Sequence, residues 1–268
     1  MGAKLLKKEE LVLVFDFFFV LLWRIYKNKP MLYLEIEPNA LHFILIEGEE
    51  IQHSVYEMQH TLTFESNLRN AISGIPQTNG GDEPLRVLMC SPGTAMSLGD
   101  FSEEVAPNVF HYCLPGREKE EVMYDMVPEA NAVWLFGIPK DQMQTLEHLF
   151  GTVFYASTMA PLARYTMKQT RAGERRIMVN CRHGWIDVVA VRGRYLELAN
   201  TFQVNSPTDT AFYVMSIVKR IGFNQTKDEC LLTGEEGFRN AAHTELARFI
   251  SHLEHRVDIS RELLSYLH

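Results

Sequence analysis

The sequence has no C-x-x-C pair, no unbroken run of about 20 apolar residues, and fewer basic than acidic side chains. Each absence excludes something. Cys90, Cys113, Cys181 and Cys230 stand far apart in the chain, so a zinc site built on paired thiols is not expected. Cys90, Cys181 and Cys230 lie in apolar runs that read as strands, where a free thiol behaves as a small hydrophobe. Buried reduced thiols and a reducing compartment are expected. A net charge of −8, from 26 basic and 34 acidic residues, makes a poor general nucleic-acid ligand, because neutralising phosphates needs a basic surface. The patterns G-x-x-x-x-G-K-[ST], G-x-G-x-x-G, G-x-S-x-G and H-E-x-x-H are also missing, which removes the common phosphate loops, the nucleophile elbow and the zinc-peptidase helix.

What is present is a chain of 268 residues with the apolar content of a packed protein, enough for one large domain or two small ones. The first thirty residues stand apart. Leu11 to Trp23 reads LVLVFDFFFVLLW, with Lys4, Lys7 and Lys8 before it and Arg24, Lys27 and Lys29 after it. Six basic and three acidic residues give residues 1–30 a net +3, leaving −8 − 3 = −11 for the rest. The run is too short to span a bilayer, and no small-residue cleavage site follows it. Three readings fit this segment: a packed or surface-lying element, sequence upstream of a natural start at Met31, or a weak membrane anchor helped by its basic flanks.

From Met31 the pattern is regular. Met31–Ile36, Leu41–Ile46 and about Gln52–Tyr56 read as three hairpin-linked strands, and Phe64–Ile72 as a helix. A polar Gly-rich loop spans 77–84, followed by a strand at Arg86–Cys90 and a helix at Ser97–Val105, with 107–121 mixed. Val133–Ile138 and Thr152–Ala156 read as strands, Asp141–Phe150 and Thr158–Lys168 as helices. The opening order then returns: strands at Ile177–Cys181, Trp185–Val191 and Tyr195–Phe202, a helix from about Thr208 to Ile221, a strand at Cys230–Leu232 and a helix at Gly237–Arg248. Three hairpin strands, helix, strand, helix thus occur twice, at about Met31–Ser102 and Ile177–Arg248, without a shared motif.

That order is the ground plan of the actin-like, or ribonuclease H-like, ATPase fold. Four stretches carry a closer resemblance: LYLEIEPNALHFIL at 32–45, VPEANAVWLFGIPKD at 127–141, IMVNCRHGWIDVVAVRGRYLELANTF at 177–202 and SPTDTAFYVMSIVKRIGFNQTKDECLLTGE at 206–235. Over about residues 31–257 the chain resembles an uncharacterised bacterial family of unknown function with that fold. It is distantly similar to PilM and the cytoplasmic part of GspL, which act in pilus and secretion assemblies. The expected fold class is therefore α/β with two ribonuclease H-like subdomains in tandem, at 31–157 and 172–268, joined by a linking helix at 158–171.

The resemblance implies a nucleotide site made of three loops: two phosphate hairpins, each opened by Asp and rich in Gly, and a Gly-rich adenosine loop. Here the first hairpin is Glu35-Ile-Glu-Pro-Asn-Ala40, with two carboxylates, no Gly, and Pro38 lacking a donor. The second is Asn180-Cys-Arg-His-Gly184, with Asn180 in the place of Asp. The third, Leu231-Leu-Thr-Gly-Glu-Glu236, has one Gly followed by Glu235 and Glu236. All three are degraded, and no cofactor is expected. The alternative is ATP with Mg²⁺, for which Asn180, Arg182, Gly184 and Gly234 would be the contacts.

Other constellations have bland readings. His252 and His255 would share a helical face but read as solvated, like His53 and His60. Asp187, inside a strand, needs a partner such as Arg192 or Arg194. Trp185 and Phe202 read as core or an interface anchor, Met123–Met126 as gap-filling, and Lys168, Arg171, Arg175 and Arg176 as a solvated basic linker. The expected function is a non-catalytic scaffold or protein-binding module, cytoplasmic or at the periphery of the inner membrane, engaging a protein partner or forming a homodimer. The alternatives are a nucleotide-binding switch and a membrane-associated assembly factor using residues 1–30.

Overall fold

The computed structural model describes residues 30–74, 84–257 and 259–267. The leader readings and most of the loop at 77–84 lie outside the described residues. The alternating segments form a meander of β1 (Met31–Ile36), β2 (Ala40–Glu47) and β3 (Glu50–Glu57). Helix α1 (Phe64–Ser73) starts at Thr63, whose hydroxyl oxygen accepts from the Ser66 amide, an N-cap that satisfies one of the free first-turn donors. It returns the chain to β4 (Leu85–Met89), which runs parallel to β1.

An insertion follows: β5 (Gly93–Ser97), α2 (Ala106–Cys113), β6 (Glu120–Val127) and β7 (Ala132–Pro139). The three strands make a separate antiparallel sheet, ordered β5-β7-β6. Helix α3 (Lys140–Phe150) then leads to β8 (Val153–Ser157), parallel to β4, and to α4 (Met159–Gln169). The second half comprises β9 (Arg175–Arg182), β10 (Trp185–Arg192), β11 (Tyr195–Gln203), α5 (Pro207–Ile221), β12 (Glu229–Gly234), α6 (Glu236–Leu246), β13 (His252–His255) and α7 (Ser260–Leu264).

The two large sheets have the same topology. One is ordered β3-β2-β1-β4-β8 and the other β11-β10-β9-β12-β13. In each, a meander pairs its first strand in parallel with a strand reached through a helix, and that strand with one more. The halves also exchange helices. Helix α4 follows the first sheet but packs on β10 and β11 of the second. Helix α7 follows the second sheet, yet its Leu264 packs with Tyr33, Ile44 and Leu88 of the first, and Arg261 Nη1 donates to the Gly48 carbonyl at 3.0 Å. One apolar core consequently joins Leu34, Phe43 and Val87 to Leu162, Met178, Val189 and Leu231.

Two expectations are corrected. The helix read at Ser97–Val105 is the end of β5 and a tight turn at Leu98–Asp100, where the Ser97 hydroxyl accepts from the Gly99 amide. Phe101 is then extended, and helix starts only at Ala106, with Pro107 in its first turn. The helix that matches the second half's α6 is therefore α3, displaced along the chain by the inserted sheet. The segment holding His252 and His255 is strand β13, not helix, so their spacing of three sends them to opposite faces.

The shared core predicts one cooperative unfolding transition. Leu162, 1% exposed on α4, is the residue to remove: Leu162→Ala should cost about 2–5 kcal/mol. Denaturation followed by far-UV circular dichroism should show a single shifted midpoint, whereas two separated transitions would mean that the halves fold independently.

Candidate functional site

The three loops singled out in the sequence meet at one cavity of about 640 Å³ between the sheets. Glu35, Glu37 and His42 line it from the first hairpin, Asn180 and Arg182 from the second, and Thr233 to Glu236 from the third, with Arg239 beside them. The strand period explains the first group. Glu35 and Glu37 lie two residues apart, so they share a face, and Glu35 is the cross-strand partner of His42. Cys90 joins them: it follows β4, its amide donates to the Ile36 carbonyl at 3.0 Å, and its Sγ lies 3.0 Å from Glu35 Oε1. On the other side, Asn180 pairs with Asp187 across β9 and β10 and with Thr233 across β9 and β12.

The floor is a buried ion pair. Arg182 Nη2 lies 2.7 Å from both oxygens of Asp187, with the two side chains 4% and 1% exposed. Asp187 also accepts from Thr201 Oγ1 at 2.8 Å, Asn180 Nδ2 at 3.3 Å and, on the linking helix side, Thr158 Oγ1 at 3.5 Å. Asp187 thus takes Arg182 as its partner, not Arg192 or Arg194; Arg192 is bound by Glu197 at the far end of the strand. Burial alone would weaken the guanidinium's hold on its proton, and Asp187 more than restores it, helped by Cys90, Glu37 and Glu35. Arg182 Nε and Nη1 are enclosed and have no hydrogen-bond partner among the described residues.

Above the floor the cavity is acidic. Burial pushes the Glu37 carboxyl up, but His42, then the charges of Arg182 and His183, bring it below its ordinary value. Burial lowers the His42 imidazole, and Glu37, with Glu35 and Glu57, raises it above its ordinary value. The contact, 3.6 Å from His42 Nε2 to Glu37 Oε2, is an ion pair too long for a hydrogen bond. Burial, and then Glu35, hold the Cys90 thiol well above its usual range. Arg239 is already engaged, through Nη1 to the Gly234 carbonyl at 2.8 Å and Nε to His255 Nδ1 at 3.0 Å.

The four residues proposed as nucleotide contacts meet different fates. Asn180 turns its amide to Asp187, so a carboxylate at 180 would face another carboxylate. Arg182 is spent on that same Asp187. Gly184 does not line the cavity; it closes a two-residue turn between Arg182 and Trp185 at φ +74°. Gly234 lines it at φ +93°, but a Cβ there would lie 2.2 Å from the Cys181 carbonyl oxygen and 2.6 Å from Asn180 Oδ1. The absent side chain admits the chain's own backbone, and the Glu235 amide donates to that same Cys181 carbonyl at 2.8 Å.

Elsewhere, Arg175 pairs with Glu197 and Asp228, and Arg176 with Glu229 and Glu174. Arg175 and Arg176 are thus held in half-buried ion pairs, which corrects the solvated reading for these two, whereas Lys168 and Arg171 are exposed. Phe202 stacks on Tyr213 with centroids 4.6 Å apart, and His255 stacks on His243 at the same distance. His42 was missed as a cavity residue, and Cys90 as the buried neighbour of Glu35. The signal for His42 was present: it is the one ionisable residue inside LHFILI, on the face that continues Glu35.

Breaking the floor pair from either side should be costly and replacing it whole should not. Asp187→Leu strands a buried guanidinium and should destabilise by about 3–5 kcal/mol, while Arg182→Met with Asp187→Leu should recover most of that loss. Urea titration of the single and double variants measures this; equal losses for the single Asp187→Leu variant and the double would show the pair is not the issue. Gly234→Ala should be destabilising in the same assay without any nucleotide present.

Comparison with known proteins places this geometry. A Bacteroides thetaiotaomicron VPI-5482 protein, described as having an actin-like ATPase fold and unknown function, superposes with a TM-score of 0.79 at 24% identity, over 90% of this chain and 96% of that one. A chain of the PilM–PilN type IV pilus biogenesis complex superposes with a TM-score of 0.55 at 13% identity, over 88% of this chain and 94% of that one. No curated protein matches. The fold is the actin-like ATPase fold. With its model matching residues 24–253, the chain belongs to the family described as "Protein of unknown function (DUF3822)".

Proposed function

We propose that this chain is a non-catalytic member of the actin-like fold, a scaffold that binds another protein or a second copy of itself and does not hold a nucleoside triphosphate. The observation that carries this reading is the charge arrangement of the cavity. Glu35, Glu37, Glu235 and Glu236 face it, and the charges of its two arginines are balanced or held, Arg182 by Asp187 and Arg239 by Gly234 and His255, although Arg182 keeps two unpaired N–H groups. A triphosphate needs uncommitted cations and free backbone donors. Here it would meet carboxylates, and the glycine that could admit it admits the Cys181 backbone instead.

A surface for such contacts exists. Among the described residues strand β3 is the open edge of the first sheet, eight residues long and mostly exposed, with Val55 55% exposed. An unpaired edge offers backbone groups for strand addition. The four cysteines are free, three of them buried, and burial pushes the Cys181 thiol up to about 12; stable protonated thiols suit a reducing cytoplasm. Among the described residues no helix is long and apolar enough to cross a membrane. A second reading, peripheral membrane attachment, rests on the sequence of residues 1–30, whose apolar run lies between basic flanks.

Three measurements decide between these readings. Millimolar ATP with Mg²⁺ should leave the thermal midpoint unchanged, because a ligand that binds only the native state must stabilise it; an upward shift would sink the scaffold reading. Val55→Lys, an edge charge of the kind that blocks strand addition, should abolish self-association or partner capture while changing stability by less than about 0.5 kcal/mol. In vesicle flotation with anionic lipid, the full chain should float more than a chain starting at Met31 if residues 1–30 contact membranes; equal flotation removes that reading.

A further inference from the structure

We propose that Glu35, Glu37 and Cys90 form a site for a thiophilic divalent cation, of which zinc is the fitting representative, bound without nucleotide. One oxygen from each carboxylate and the Cys90 sulfur lie within 4.8 Å of one another. Ligands of a common zinc ion, at bond lengths of about 2.0–2.3 Å, lie up to about 4 Å apart, so small rotations of two glutamate side chains close the set. The backbone fixes the donors. Glu35 and Glu37 share one face of the chain leaving β1, and the Cys90 amide is tied to Ile36 between them. The donor set is mixed, hard oxygens with one soft sulfur, which favours zinc or cobalt over magnesium.

An independent feature points to the same place. Arg182 is 4% exposed, and its Nε and Nη1 have no partner among the described residues. After Asp187, the charges that act on it are those of Cys90, Glu37 and Glu35. Three protein ligands leave a tetrahedral ion one open position, and Arg182, which lines the same cavity as Glu35 and Glu37, keeps two unpaired N–H donors that suit an oxygen ligand such as a bound water. The guanidinium does not repel the ion as a free cation would, because Asp187 already neutralises it at 2.7 Å. Binding balances simply: the cation replaces the thiol proton, which is released to solvent, and no electron moves.

None of the three ligands lies on β3, although His53 and Val55 of that strand line the same cavity, so metal binding is read with the metal alone and no partner present. The test uses the full chain with Zn²⁺ or Co²⁺ alone. Chelator competition should give one zinc per chain, and Co²⁺ should produce a thiolate-to-cobalt charge-transfer band. Cys90→Ser should abolish the band, Glu35→Gln should weaken zinc binding at least about tenfold, the scale of loss caused even by removing supporting groups around a metal, and Cys113→Ser should change neither. Circular dichroism of Cys90→Ser and Glu35→Gln checks that both fold; if Cys90→Ser does not, Glu35→Gln carries the test. No thiolate band in the parent protein, a band that follows Cys113, or zinc displaced by equimolar Mg²⁺ would each overturn the proposal. Failure here leaves the ATP result untouched, and binding of Mg²⁺ with ATP would overturn the scaffold reading while leaving the zinc result to stand alone.

Discussion

Everything at the centre of this molecule depends on the buried contact between Arg182 and Asp187. Two charges removed from water are tolerable only when each satisfies the other and the remaining lone pairs find donors. Asp187 does so completely, drawing on Arg182, Thr201, Asn180 and the linking helix through Thr158. The consequence runs outward. Asn180 must be a donor and Arg182 must point inward, so this wall of the cavity is turned toward the protein itself.

The opposite wall responds to the same charge. After Asp187, the charges of Cys90, Glu37 and Glu35 act on the guanidinium, while His42 lies 3.6 Å from Glu37 on the neighbouring strand. The cavity is therefore acidic above a floor whose charges balance each other. That arrangement is the basis of the proposal that the cavity does not hold a polyanion.

Much of the fold was legible before any coordinates. The meanders at Met31–Tyr56 and Ile177–Phe202 announce themselves through period-two patterning and short turns, and the parallel strands through compact apolar runs. The inserted sheet was not legible. Strand β6, EEVMYDMV, mixes charges into its alternation, and β5 is only GTAMS; their strand state is set by pairing with the strongly apolar β7. At the site, the weakness of the three loops could be read from residue types, and Asp187's need for a partner could be inferred from its setting. Which arginine answers it follows from strand alternation once the hairpin register is known: Arg192, five residues on, lies on the opposite face of β10, while Arg182, two residues from Asn180, shares Asp187's face. Cys90 was hidden by its resemblance to an ordinary core thiol.

The exchange of helices has an implication for biosynthesis. Because α7 covers the first sheet, the surface formed by Tyr33, Ile44 and Leu88 stays uncovered until residues 260–264 have left the ribosome. A nascent chain that has paired its first sheet carries that apolar patch until α7 docks, and over that interval chaperones have most to shield.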